Sequence, residues 1–238
     1  MALPNITFNK STGGLGQALP GKDHYSGFLF YSATLPSGFA ADDRVKQVFS
    51  LEEAENLGVI TGGAFDVYHY HISEYFRIQP KGVLFVGFYA VPAGTYDFAE
   101  LETMRLFAEG QIRQFGVYVN AEAYTTTEVT ALQAEVTKSE VANQPFEVLY
   151  AADISGTADL STLADLTALS APGVSVVIGQ DGGATGAALA VSLTYSVCSV
   201  GTLLGAVSLA KVSESIAWVE KFPLVTGAEL DVAAFGNG

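Results

Sequence analysis

At 238 residues, about half apolar and only 15% charged, the chain is long enough for one large domain or two small ones with a substantial core. Its net charge of −14, with 11 scattered basic residues, argues against nucleic-acid binding, because counterion release needs clustered Lys and Arg. The single cysteine, Cys198, excludes an intrachain disulfide and any cysteine metal motif.

In chain order, Met1-Ala-Leu-Pro-Asn lacks a basic n-region and an apolar h-region, so no secretion signal is expected. Residues 1–22 are punctuated by Gly and Pro and read as an extended N-terminal arm with one potential strand at Asn5-Ile6-Thr7-Phe8. Residues 25–35 (YSGFLFYSATL) predict a first buried strand. Ser50–Leu57 predicts a short acidic helix: Ser50 is the N-cap, Glu53 completes a capping box, and Gly58 stops it. An aromatic helix over Phe65–Phe76 follows. Pro80-Lys81-Gly82 breaks the chain, and Val83–Val91 is an apolar strand.

Phe98–Ala108 predicts a helix with Leu101, Met104 and either Phe107 or Ala108 on one face. Ile112–Asn120 reads as a strand. Thr125–Asn143 reads as a helix presenting Val129, Leu132, Val136 and Glu140. Phe146–Ile154 is a strand, Leu160–Leu169 a short helix and Val174–Gly179 a strand. Ala187–Ala210 contains no charged residue, a length that would fit a membrane span. Its serines and threonines, its lack of an aromatic belt and its lack of a basic flank beyond Lys211 instead favour a buried helix beginning near Ala184, with Gly201 and Gly205 inviting a break. Cys198 is placed in this helix as an inert buried thiol. A second helical piece covers Lys211–Glu220.

Regular alternation of helix and strand argues for an α/β fold: a mainly parallel or mixed sheet with helices on both faces. The strands at 83, 146 and 174 read as covered on both faces. The simplest division is an arm over 1–22 and a single α/β domain over 23–238.

Candidate chemistry is sparse. Gly179-Gln-Asp-Gly-Gly-Ala-Thr-Gly186 follows a strand and opens a helix, the place for a phosphate-binding turn. Its spacing matches neither G-x-G-x-x-G nor a P-loop, and Asp181 would repel phosphate. His69 and His71 lie two apart, on different faces of a helix, and lack a third ligand at an informative spacing. They read as partly buried, hydrogen-bonded histidines. Asp23-His24 with a serine makes no G-x-S-x-G elbow, and the Ser-Gly pairs at Ser26 and Ser155 lie in other contexts. Asp42-Asp43 and Glu52-Glu53 read as solvated faces. No catalytic, cofactor or metal constellation is expected. Leu3, Ile6 and Phe8, tethered by Gly13, Gly14 and Gly16, are the candidate subunit-interface residues, since such a strand can add to a neighbour's sheet edge.

Two patches carry a resemblance. The first is the capped helix S-L-E-E-A-E-N-L-G (50–58), the aromatic helix ending Y-H-I-S-E-Y-F-R-I-Q-P-K-G (70–82) and the strand after it. The second is Cys198–Ser208 (CSVGTLLGAVS) with Val212–Val219. Together they resemble the N-terminal part of a contractile phage tail-sheath family, found mainly in prophages of Bacteroidetes-type bacteria. The resemblance implies a non-enzymatic virion tail protein, present in host cytoplasm during assembly. It would self-assemble into a helical tube through extended arms, with identical subunits and an inner tail-tube protein as partners and no cofactor, nucleic acid or membrane. Sheath subunits usually end in a C-terminal domain that builds the tube wall. This chain stops at Gly236-Asn-Gly238, so a form lacking that domain is expected. The alternative is a doubly wound enzyme binding a nucleotide at the Gly179–Gly186 turn.

Overall fold

The computed structural model describes residues 25–157, 159, 163, 165–179, 184–210 and 216. Six strands form one mixed sheet: β1 (Tyr25–Tyr31), β2 (Val45–Val48), β3 (Val83–Tyr89), β4 (Gln114–Ala123), β5 (Glu147–Asp153) and β6 (Val174–Val176). Among the described residues six α-helices accompany it: α1 (Leu51–Asn56), α2 (Asp66–Ile78), α3 (Glu100–Phe107), α4 (Thr126–Val141), α5 (Ala184–Leu193) and α6 (Val200–Leu209). The strand order is β2-β3-β1-β4-β5-β6. All neighbours are parallel except β2, which runs antiparallel to β3.

Without β2, the five parallel strands take the order 2-1-3-4-5, that of a flavodoxin-like doubly wound sheet. Alternation along β1 explains the two layers. Phe28 and Phe30 enter a core shared with α1, α2, α5 and α6, while Leu29 and Tyr31 enter a second core under α3 and α4. Both cores hold fully buried aromatic rings, each contributing roughly 1.5–3 kcal/mol or more of apolar burial.

Local signals explain most element ends. Ser50 caps α1, its side chain accepting from the Glu53 N–H at 3.2 Å. The Glu53 carboxylate reaches back one residue further than a standard capping box, to the Phe49 N–H at 2.8 Å. Gly58 ends the helix at φ 87°. Thr125 caps α4, accepting from the Thr127 N–H. Leu101, Met104 and Ala108 are buried and Phe107 is half exposed, which settles the inward face of α3.

Several expectations need correction. The first strand stops at Tyr31, and the short antiparallel β2 was not anticipated: its pattern, buried only at Val45 and Val48, is too brief to read as a strand. The α4 face carries Ser139, with Glu140 exposed, because Ser139 tucks its hydroxyl onto the Val136 carbonyl at 2.7 Å and accepts from the Phe146 N–H. Strand β6 is three residues long and exposes Ser175, as an edge strand can. Within the described part of 160–169 there is only a 3-10 turn, Leu166–Ala168.

The long apolar helix is two helices, and its break is not at the glycines. It falls at Thr194–Ser199, where Thr194 takes φ 61°, a strained value for a β-branched residue. Asp153, at the end of β5, holds this link: its carboxylate accepts from the Ser196 N–H at 2.8 Å and the Ser196 hydroxyl at 2.9 Å. Cys198 lies in the same link rather than in a helix; it is buried, with its thiol 3.6 Å from the Ala152 carbonyl oxygen. Among the described residues no helix is long and apolar enough to cross a membrane. The segment 211–220 lies outside the described residues apart from Ile216.

Candidate functional site

A doubly wound sheet binds ligands outside the carboxyl ends of its strands, where the winding reverses. Here that point lies between β1 and β4. Among the described residues it is lined with aromatic rings. Tyr68 of α2 and Tyr118 of β4 are buried, and the Tyr68 hydroxyl donates to the Tyr31 carbonyl oxygen at 2.6 Å. On the other face Tyr31 packs edge-on against Tyr96 at 4.8 Å and donates to Glu100 Oε2 at 2.8 Å. Burial first, then the neighbouring Glu100 carboxylate, pushes the Tyr31 phenol up. Burial holds Tyr118 well above the usual phenol range. Both hydroxyls therefore stay protonated at neutral pH and neither can act as a base.

The helix ends nearby are not free for an anion. At the start of α2 the N–H groups of Gly62 and Gly63 donate to Asp66 Oδ1 at 2.5 and 3.0 Å. At the start of α4 the Thr125 hydroxyl is bonded to Glu128. Carboxylates occupy the positive ends of both helices and would repel a phosphate.

Below this crevice, α2 and α6 meet in a close seam. Gly201 and Gly205 of α6 face the His71 and Tyr75 carbonyls of α2; a Cβ on Gly201 would lie 2.2 Å from the His71 oxygen, and one on Gly205 2.8 Å from the Tyr75 oxygen. Polar bonds flank the contact. Thr202 donates to Glu74 Oε2 at 3.1 Å, Gln79 Nε2 donates to the Ser208 carbonyl at 3.3 Å, and the Tyr75 and Ser208 hydroxyls lie 3.2 Å apart. Glu74 also takes Arg77 at 2.6 Å. The seam joins the two sequence patches, 50–91 and 198–208, that lie more than a hundred residues apart.

The predicted candidates fall as follows. Leu3, Ile6, Phe8 and the pair Asp23-His24 lie outside the described residues, as do positions 180–183 of the Gly179–Gly186 turn. Gly179 itself accepts from the Ser199 N–H at 2.8 Å, which ties the turn to the start of α6. Ser26 is buried, its hydroxyl accepting from Gln114 Nε2 at 2.9 Å. The Ser155 hydroxyl donates to Asp153. Burial alone would raise the Asp153 carboxyl, but hydrogen bonds from Ser196 and Ser155 outweigh it and hold the group below its usual range.

The histidines separate. His69 pairs with Glu55 across α1 and α2 at 2.8 Å. His71 is fully buried between Phe28, Phe30, Tyr70 and Tyr118, with neither ring nitrogen hydrogen-bonded. The expectation of a partly buried, hydrogen-bonded His71 is therefore corrected: the rings pack against its imidazole and no polar atom reaches either nitrogen. Among the described residues no group of three or more His, Cys, Asp and Glu is placed to hold a metal. Sequence reasoning missed the Glu74–Thr202 bond, since nothing in either helix alone signals its partner.

These features define a doubly wound α/β protein whose described switch-point residues include the buried tyrosines Tyr31, Tyr68 and Tyr118. The family model described as DUF2586, N-terminal domain, matches residues 3–236, and the chain belongs to that family. No curated protein matches the chain.

Proposed function

We propose that this chain is a structural subunit of a contractile phage tail sheath or of a phage-derived injection device. The observation that supports the non-enzymatic part of this reading is the switch point: buried Tyr31, Tyr68 and Tyr118 line it, and Asp66 and Glu128 sit at the adjoining helix ends. The resemblance of the patches 50–91 and 198–208 to sheath subunits supplies the structural role. Their packing into one seam supports treating them as one unit.

On this reading identical subunits stack around an inner tube protein through heterologous contacts that build an open helix. Contraction is rigid-body rearrangement from a trapped extended state, for which a domain tied by glycine-mediated helix contact is suited. No cofactor or catalytic group takes part. The protein resides in the virion tail, and in host cytoplasm during assembly.

Sedimentation velocity at rising concentration tests it. Concentration-dependent association is expected, and removing residues 2–12 should weaken association while leaving the monomer's unfolding midpoint nearly unchanged. A discrete monomer at every concentration would refute self-assembly.

The nucleotide-binding alternative draws on one observation, the 2-1-3-4-5 order of the parallel strands, which flavodoxin-like nucleotide binders share. It requires the Gly179–Gly186 turn to hold phosphate despite Asp181. Saturable binding of any member of a nucleotide panel, lost in Gly182→Val, would favour it over the sheath reading.

A further inference from the structure

The amino ends of β4 and β5 frame a groove of about 350 Å³, on the rim of the sheet opposite the tyrosine-lined switch point. Val136 and Phe146 form its buried floor, and Pro145 and Pro172 stand exposed at its sides. Main-chain groups along it are already bonded. The Glu147 N–H donates to the Arg113 carbonyl at 3.0 Å, the Val148 N–H to the Gly173 carbonyl at 2.9 Å, and the Gly173 N–H to Gln133 Oε1 at 2.9 Å. Recognition there falls to side chains. Three charges line the groove: Arg113 just before β4, Glu140 in the last turn of α4 and Glu147 at the start of β5. Among the described residues none of the three makes an ion pair or a side-chain hydrogen bond. An apolar floor beside one unpaired cation and two unpaired carboxylates suits a segment in which apolar side chains bracket an acid and a base.

The chain beyond α6 has that composition and sets out beside the groove. A run of hydrogen bonds joins the two places. The Ser208 hydroxyl lies 3.2 Å from that of Tyr75, the Tyr75 hydroxyl donates to Ser26 Oγ at 3.4 Å, and Gln114 Nε2, on the lining of the groove, donates to the same Ser26 Oγ at 2.9 Å. Ser208 is in the last turn of α6, and Ala210 leaves that helix extended, at φ −68° and ψ 135°. The sequence then reads Trp218-Val-Glu-Lys-Phe222-Pro-Leu224. We propose that residues 218–224 occupy this groove in the same chain, as a clasp across the amino edge of the sheet. Trp218 lies ten residues beyond Ser208, and even coiled as a helix those residues span ~15 Å, enough to cover three hydrogen-bond lengths and the side chains between them. Glu220 meets Arg113, Lys221 meets Glu140 on α4, and the rings of Trp218 and Phe222 rest on Pro145, Phe146 and Pro172. Charge complementarity fixes the register, because the reverse placement sets Glu220 against a carboxylate. The clasp holds α6 from its far end, as Asp153 holds the link before it through Ser196. The inference goes beyond the sheath reading and does not depend on it.

Trp218 is the only tryptophan of the chain, so intrinsic fluorescence of the full chain reads the segment directly. The expected emission lies to the blue of that of the urea-unfolded chain, with weaker acrylamide quenching, at every protein concentration. At low salt Arg113→Glu and Glu220→Arg should each shift the emission to the red and raise the quenching constant about twofold or more. Combining the two exchanges restores an opposite-charge pair and should return both readings to the parent values. Glu220→Arg covers the case in which Arg113→Glu disturbs folding, which far-UV circular dichroism reads. Parent emission that matches the unfolded chain overturns the proposal. A protected Trp218 that neither exchange moves overturns it as well, since the segment then packs elsewhere, and so does a folded double exchange that stays red-shifted. Protection that appears only as concentration rises puts the segment on a second copy, and the clasp within one chain is then wrong.

Discussion

Replacing Gly201 by alanine tests the seam, because two opposing effects give its outcome a definite sign. In a solvent-facing helix, Gly→Ala stabilises by about 1 kcal/mol. Here the added Cβ would lie 2.2 Å from the His71 carbonyl oxygen, whereas carbon–oxygen contacts settle near 3.3 Å. The helices must therefore part by about 1 Å. That separation strains the Thr202–Glu74, Gln79–Ser208 and Tyr75–Ser208 bonds, each contributing about 1 kcal/mol, on top of an overpacking cost of about 1–3 kcal/mol. Net of the propensity gain, Gly201→Ala should destabilise by about 2–4 kcal/mol. In urea, with a slope of about 2–3 kcal/mol/M, the unfolding midpoint should fall by about 1 M. Gly63→Ala is the control: nothing lies within 4 Å of its Cβ position, so its midpoint should stay within about 0.5 kcal/mol of the parent. A neutral or stabilising Gly201→Ala would mean that the helices are not in backbone contact, and the account of the seam would be wrong.

Two further outcomes follow from the same structure. Burial lowers the His71 pKa from 6.5 to about 3, so between those values the unfolded chain takes up the proton and the folded one does not; the associated stability is fully present above pH 6.5 and is lost as pH falls, by about 2 kcal/mol at pH 5. Urea unfolding at pH 7.5 and pH 5 should show that loss in the parent and not in His71→Leu, and parallel losses would refute the assignment. Ser50→Ala removes the α1 cap and should cost about 1 kcal/mol, read as a shift in urea midpoint, with no shift if the Ser50–Glu53 bond is immaterial.

The legible part of the fold was the part written in local periodicity. β1, β3, β4 and β5 announced themselves as apolar runs, and Ser50 and Gly58 marked the ends of α1 through capping chemistry that operates within a few residues. What failed depended on distant partners. The break at Thr194 is imposed by Asp153, whose carboxylate captures Ser196 forty-three residues further along. Gly201 and Gly205 read as weak points because a glycine in a helix is a weak point when nothing approaches it. Here they are close-contact points, a role that exists only once α2 is in place. β2 was invisible because four residues with two exposed side chains carry no period, and its pairing comes from β3.

The tyrosine-lined switch point links these observations to mechanics. A doubly wound sheet positions ligands well because its carboxyl edge is open and its helix starts are electropositive. Among the described residues both conditions are altered here: buried tyrosines line the edge between β1 and β4, and Asp66 and Glu128 sit at the starts of α2 and α4. The tight α2–α6 contact adds stiffness to the same side of the sheet, since backbone-to-backbone packing leaves no side chain to rotate out of the way. Flexing the sheet would then strain a buried Tyr68–Tyr31 bond and the seam together. A sheet coupled in this way to α2 and α6 moves with those helices as one rigid body.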